Sequence, residues 1–151
     1  MTRQDERGQS AVLIVGLASF LLLAIVVVVD ASAAFLQRQG LDTVADGAAL
    51  AGADAGSRNL DSIYGSGVGS QPRLDQAEAL ARAAVEDYLN RTGARTDYPG
   101  LSYDVGFDPT DNSVVVQVRA PLDLPLTIPG SPEQPVVGTV GSAVVQVESR
   151  P

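Results

Sequence analysis

The chain has no cysteine, no histidine and no lysine among its 151 residues. Without cysteine there can be no disulfide and no thiolate metal site. Without histidine the usual general base, the Ser-His pair and the commonest zinc ligand are missing. Without lysine, Schiff-base and P-loop chemistry are excluded. All ten basic residues are arginine. Together these absences predict a non-catalytic protein with no cofactor and no metal.

Charge is also missing from a long stretch near the start. Residues Gly8 to Val29 form an uncharged run of 22, and Ala11 to Val29 reads AVLIVGLASFLLLAIVVVV. Fourteen of those 19 residues are Leu, Ile, Val or Phe. As a helix, the segment would be about 28 Å long, close to the roughly 30 Å hydrocarbon core of a bilayer. At about −0.3 to −0.6 kcal/mol for each strongly apolar residue, insertion is favoured by roughly 4 to 8 kcal/mol. The segment therefore predicts a single membrane span, with membrane lipid as a partner.

A cleaved secretory signal is the competing reading, because Ala31-Ser32-Ala33 matches an A-x-A cleavage site. A signal's apolar region usually runs 7 to 15 residues, and Asp30 precedes the candidate site. Both points favour a retained span. Arg3, Arg7 and the α-amino group lie on its N-terminal side, with only Arg38 close on the other. Positive charge near a span marks the cytoplasmic side. The expected arrangement is thus a single-pass cell-membrane protein with a cytoplasmic N-terminus and an extracytoplasmic C-terminal domain. The portion after the apolar run carries eight Arg against sixteen acidic residues. Its negative charge opposes nucleic-acid binding, and nothing in the sequence points to a small-molecule substrate.

Beyond Asp30 the sequence stays helical. Leu36, Leu41, Val44, Ala45, Ala48, Ala51 and Ala55 fall near helical spacing, predicting one nearly continuous helix from about Ser10 to Ala55. Arg38 and Asp42 stand four apart and can pair. Gly40 and Gly47 weaken a helix, unless small residues there admit a close neighbour. Residues 56–71 hold four Gly and four Ser and read as a flexible linker.

Pro72 suits the first turn of a second helix, with Leu74, Ala77, Ala81, Ala84, Val85 and Tyr88 on one face. Glu78 with Arg82, and Asp87 with Arg91, are four-apart pairs. Thr92-Gly93 is a natural stop, which makes the Asn90-Arg91-Thr92 sequon a helix end. Leu101, Tyr103, Val105 and Phe107 then alternate with polar residues or glycine, as does 113–119, so a hairpin is expected around the turn 108–112. An irregular proline-rich crossing loop, Pro121 to Pro135, leads to a third strand, Val136 to Glu148, with a break near Gly138 or Gly141.

The fold class is therefore α+β: a long N-terminal helix with a transmembrane first half, a second amphipathic helix, and a three- or four-stranded antiparallel sheet. The expected divisions are a leader at 1–9, the span and extended helix at 10–55, the linker at 56–71, and an extracytoplasmic domain at 72–151.

Few residues suggest chemistry. Asp108, Asp111 and Asn112 could offer oxygens to calcium, but their spacing is that of an ordinary turn. Asp42, Asp46 and Asp54 could suggest paired carboxylates, yet read better as a solvated helix face.

The segment from Glu6 to Ala53 resembles a known family. A charged leader ends in Arg7-Gly8, Gln9-Ser10-Ala11 opens the apolar helix, and Gln37, Arg38 and Leu41 follow it. The most specific part is Ala45-Asp46-Gly47-Ala48-Ala49-Leu50-Ala51-Gly52-Ala53. This pattern is similar to the N-terminal module of TadE/TadG-like proteins of tight-adherence (Flp) pilus systems. The resemblance implies a pilin-like fold and a membrane-anchored pilus-assembly component or minor pseudopilin, with other pilus-assembly or pilin subunits as partners. It also implies prepilin-type processing between Gly8 and Gln9. At the fifth residue after that cut type IV pilins carry Glu, and this chain carries Leu13. The alternative is a generic membrane-tethered extracytoplasmic binding domain unrelated to pili.

Overall fold

The computed structural model describes residues 4–63, 71–108, 110–111, 113–126 and 135–145. Helix α1 spans Gln4–Ile63, α2 Gln71–Arg91 and the short α3 Ala94–Asp97. Strands β1 (Ser102–Asp108), β2 (Ser113–Pro121) and β3 (Val136–Val144) form an antiparallel sheet in the order β1-β2-β3. The α+β expectation is met. The chain divides into two compact units. One is Met1–Leu36 with Asp123–Pro132, and the other is Gln37–Leu122 with Glu133–Pro151.

In the first unit the apolar part of α1 keeps its side chains outward. Val12, Leu13, Phe20, Leu22, Leu23 and Val28 are all more than 60 % exposed. None of the most apolar stretch is buried within the protein. A surface of that kind is unfavourable in water, at about 25 cal/mol for each Å² of apolar area left wet. It is stable in lipid, where the backbone is also satisfied by its own helical hydrogen bonds.

The second unit has an ordinary apolar core between two helices and the sheet. On α1 the buried positions are Leu41, Ala45, Ala48, Ala49, Gly52, Ala53 and Gly56. Their spacing of three and four residues makes one stripe down the helix. Helix α2 contributes Ala81, Val85 and Leu89, and β2 contributes Val114, Val116, Val118 and Ala120. Alternation sends Ser113, Val115, Gln117 and Arg119 to the other face of β2, as the two-residue period of a strand requires.

Helix α1 continues to Ile63, past the end at Ala55 that the spacing suggests. Arg58 pairs with Asp54 at 2.5 Å and the Ser57 hydroxyl donates to the Asp54 carbonyl, so local bonds offset the weak propensity of Gly56 and Ser57. Residues 64–70 of the expected linker lie outside the described residues. Helix α2 carries both expected ion pairs, Arg82–Glu78 at 2.7 Å and Arg91–Asp87 at 2.8 Å. Arg82 also donates to the Val105 carbonyl at 3.1 Å, which ties α2 to β1. The helix stops where expected: Thr92 donates from both its amide and its hydroxyl to the Tyr88 carbonyl, and Gly93 takes φ 73°.

Strand β3 runs unbroken through Gly138 and Gly141 to Val144. The break expected at a glycine is absent for a steric reason. Gly141 faces α1 so closely that an added Cβ would lie 2.6 Å from the Asp46 amide nitrogen and closer still to the Ala45 carbonyl. The glycine is a contact surface between two backbones, and its full pairing with Val116 keeps the strand intact.

The small residues of α1 have similar neighbours. A Cβ at Gly40 would strike the Tyr98 hydroxyl, one at Gly47 the Tyr88 hydroxyl, and one at Gly52 would sit 3.2 Å from Val85 and 3.1 Å from Val114. Gly40 offers a clean test, because the Tyr98 Cζ beneath the hydroxyl is 3.2 Å from the added carbon. Gly40→Ala by itself gains about 1 kcal/mol of helix propensity but pays for it in overlap with that oxygen, which costs about 1–3 kcal/mol. In a Tyr98→Phe background the hydroxyl overlap is removed and only the 3.2 Å approach of Cζ remains, so the same change is expected to cost less than in the native background. A double-mutant cycle of thermal unfolding on the full chain in detergent micelles checks this, and additive effects would refute it.

Candidate membrane anchor and assembly module

Three groups of residues bear on function: the start of α1, its apolar span, and the Ala-rich string beyond it. Gly8 and Gln9 lie within α1. The apolar span follows, and Asp30 ends it as a half-buried carboxylate that accepts a hydrogen bond from the Leu126 amide at 3.3 Å. The Ser32 hydroxyl turns back to the Val28 carbonyl at 2.7 Å, removing a second polar group from the helix surface.

The string Ala45–Ala53 splits by face. Ala45, Ala48, Ala49 and Ala53 are buried in the core, whereas Asp46 and Leu50 are exposed. The close neighbour that its small residues admit is α2 and the sheet of the same chain. Two polar contacts pin the helix beside them. The Thr139 hydroxyl of β3 donates to the Asp42 carboxylate, and the Gln37 side-chain amide donates to the Pro121 carbonyl at 2.6 Å. Asp42 thus meets a hydroxyl on the sheet, a partner 97 residues away that the four-residue spacing to Arg38 could not reveal.

The candidate carboxylates are not brought together. Asp42 is on Thr139, Asp54 is on Arg58, and Asp46 is exposed. Among the described residues no three acidic side chains stand close enough to hold a metal ion. At the β1–β2 turn the Asp108 carboxylate accepts from the Thr110 amide at 2.8 Å, which closes the turn. Asn112 lies outside the described residues.

The bonds from Thr110, with a smaller one from the Asp111 amide, hold the Asp108 carboxyl below its ordinary value. A depressed carboxylate stabilises the fold in full above its unfolded value of about 3.9 and loses that contribution as pH falls through the lowered native one. A carboxyl-carbon NMR titration is expected to place the Asp108 midpoint below that of an unstructured Asp. A midpoint at the ordinary value would show that the turn bond does not persist in solution.

The described residues define a protein class: a chain with one helix long and apolar enough to cross a membrane, and a small α+β domain. Residues 8–55 match the family described as putative Flp pilus-assembly TadE/G-like. The N-terminal module is therefore TadE/G-like, and the match covers about a third of the chain. It begins at Gly8 and ends within α1, taking in the span and the string that forms the core stripe. No curated protein and no solved structure gives a significant match.

Proposed function

We propose that this chain is a membrane-anchored component of Tad/Flp pilus assembly or a minor pseudopilin, acting mechanically rather than by catalysis. The observation that carries the proposal is the coincidence of the TadE/G-like match with α1. One stretch of that helix exposes an apolar surface suited to lipid, and a later stretch is locked into the core of the α+β domain. The N-terminus faces the cytoplasm and the acidic domain lies outside, in keeping with Arg3 and Arg7. There the domain contacts other assembly or pilin subunits. With the small residues of Ala45–Ala53 already packed within the chain, those contacts fall to other surfaces. Gly8 and Gln9 flank a prepilin-type processing site.

Deletion of the gene tests the role. Loss of surface fibres, restored by the intact gene, is the expected result, and fibres unchanged on deletion would favour a tethered binding domain. A C-terminal tag should be accessible to external protease, and a protected tag overturns the orientation. N-terminal sequencing of the mature chain decides processing: a start at Gln9 supports the cut, and an intact Met1 or Thr2 overturns it.

A further inference from the structure

The apolar surface of α1 does not end at Asp30. Residues 31–37 are again uncharged, and Phe35 and Leu36 are 67 % and 65 % exposed. Asp30 is thus a single charge between two apolar stretches that together run from Ala11 to Leu36. As helix, those 26 residues cover about 39 Å, more than the roughly 30 Å hydrocarbon core and close to the bilayer with its headgroups. A bare carboxylate at that level would fix the membrane boundary just below it, because burying an unpaired charge is costly.

Here the carboxylate is not bare. It is half-buried, and the Leu126 amide donates to it. The donor belongs to the segment 122–126 that follows β2, LDLPL, in which four apolar residues accompany the exposed Asp123. Leu126 itself is 41 % exposed and is held at the level of Asp30 by its own backbone. The bond therefore does two things at one height on α1: it partners the charge and presents a leucine beside the end of the span.

We propose that residues 122–126 are a membrane-seated tether, with Leu126 lying in the interfacial region of the leaflet on the domain's side and Phe35 and Leu36 facing the same lipid. The occupant is the bilayer surface, because Phe35 and Leu36 follow the span on the same helix and Leu126 shares its unit of the fold. The tether rests on the spanning reading of α1 and adds to it a second attachment. A lone helix leaves its outer end free to tilt and slide. A helix with an apolar residue hydrogen-bonded at its boundary is fixed in depth.

The absence of native cysteine makes the test direct. Single cysteines at Leu21, Phe35, Leu126 and Thr96 are labelled with an environment-sensitive fluorophore. The full chain is placed in phosphatidylcholine vesicles carrying spin-label quenchers at shallow or deep acyl positions. The label on Leu126→Cys and on Phe35→Cys should emit blue-shifted and be quenched by the shallow spin label. That on Leu21→Cys should be quenched by the deep one, and that on Thr96→Cys, on the exposed face of α3, by neither. Adding Asp30→Ala should return the Leu126 label to the aqueous emission of the Thr96 label. If the Leu126 label reports water while the Leu21 label reports lipid, the tether is overturned and the anchor stands. If the Leu21 label also reports water, the spanning reading itself fails. If the Leu126 label stays in lipid without the Asp30 carboxylate, the carboxylate is not what holds the segment.

Discussion

Gly141→Val should strongly destabilise the α+β domain. The added side chain begins inside the contact radius of the Ala45 carbonyl and the Asp46 amide, both backbone groups of α1. A flexible side chain could swing away, but a helix backbone held by Leu41, Ala45, Ala48 and Ala49 in a close-packed core cannot. Overpacking of a core usually costs about 1–3 kcal/mol, and a backbone-on-backbone overlap belongs at or above the top of that range. A loss of about 3 kcal/mol lowers the melting temperature of a domain this size by roughly 12 to 24 °C. Near-ultraviolet circular dichroism of the tyrosines, on the full chain in detergent micelles, reads the transition. Gly16→Val is the matched control, since nothing lies within 4 Å of a Cβ added there. A melting temperature within a few degrees of the native value for Gly141→Val would show that β3 does not press on α1 as described.

Leu17→Arg with Leu21→Arg is expected to abolish membrane insertion. Both side chains are more than half exposed on α1, and they stand one turn apart. Each arginine near the centre of a span costs about 2.5 to 3.5 kcal/mol and also removes a leucine's favourable share, for a combined loss of roughly 6 to 8 kcal/mol. The whole apolar segment gains about 4 to 8 kcal/mol, so the balance falls to near zero or below. Alkaline extraction of membranes checks this: the native chain should stay in the pellet and the double variant should move to the supernatant. Native chain in the supernatant, or double variant in the pellet, would refute the account of α1 as the anchor. Asp46→Ala with Asp54→Ala, which changes exposed positions beyond the span, should leave extraction unchanged.

The elements that could be read from the residues alone are those whose signal is local. The alternation at 101–107 and 113–119 gives β1 and β2, because a strand with one buried face must repeat every second residue. The i,i+4 charge pairs and Thr92-Gly93 give α2 and its end, and the TadE/G-like string is visible as a string. What escapes local reading depends on residues far apart in the chain. Leu89 is fully buried on α2, yet the face expected for that helix stops at Tyr88. Gly141, which resembles a strand breaker, is the place where two backbones touch. Asp42 has a helical neighbour available in Arg38 but is met by Thr139.

The sequence by itself determined that this protein has a segment long and apolar enough to cross a membrane, no Cys, His or Lys, and a TadE/G-like beginning. Those properties are sums over residues, and sums survive without knowledge of what touches what. The tertiary structure alone decided what the small residues are for. Glycine and alanine on α1 weaken the helix in isolation, and only the presence of α2, Tyr98 and β3 against them turns each missing side chain into close packing. The same holds for Asp30, which in sequence ends an apolar run and in the fold is met by the Leu126 amide. A contact needs two partners, and the local pattern around either one does not name the other.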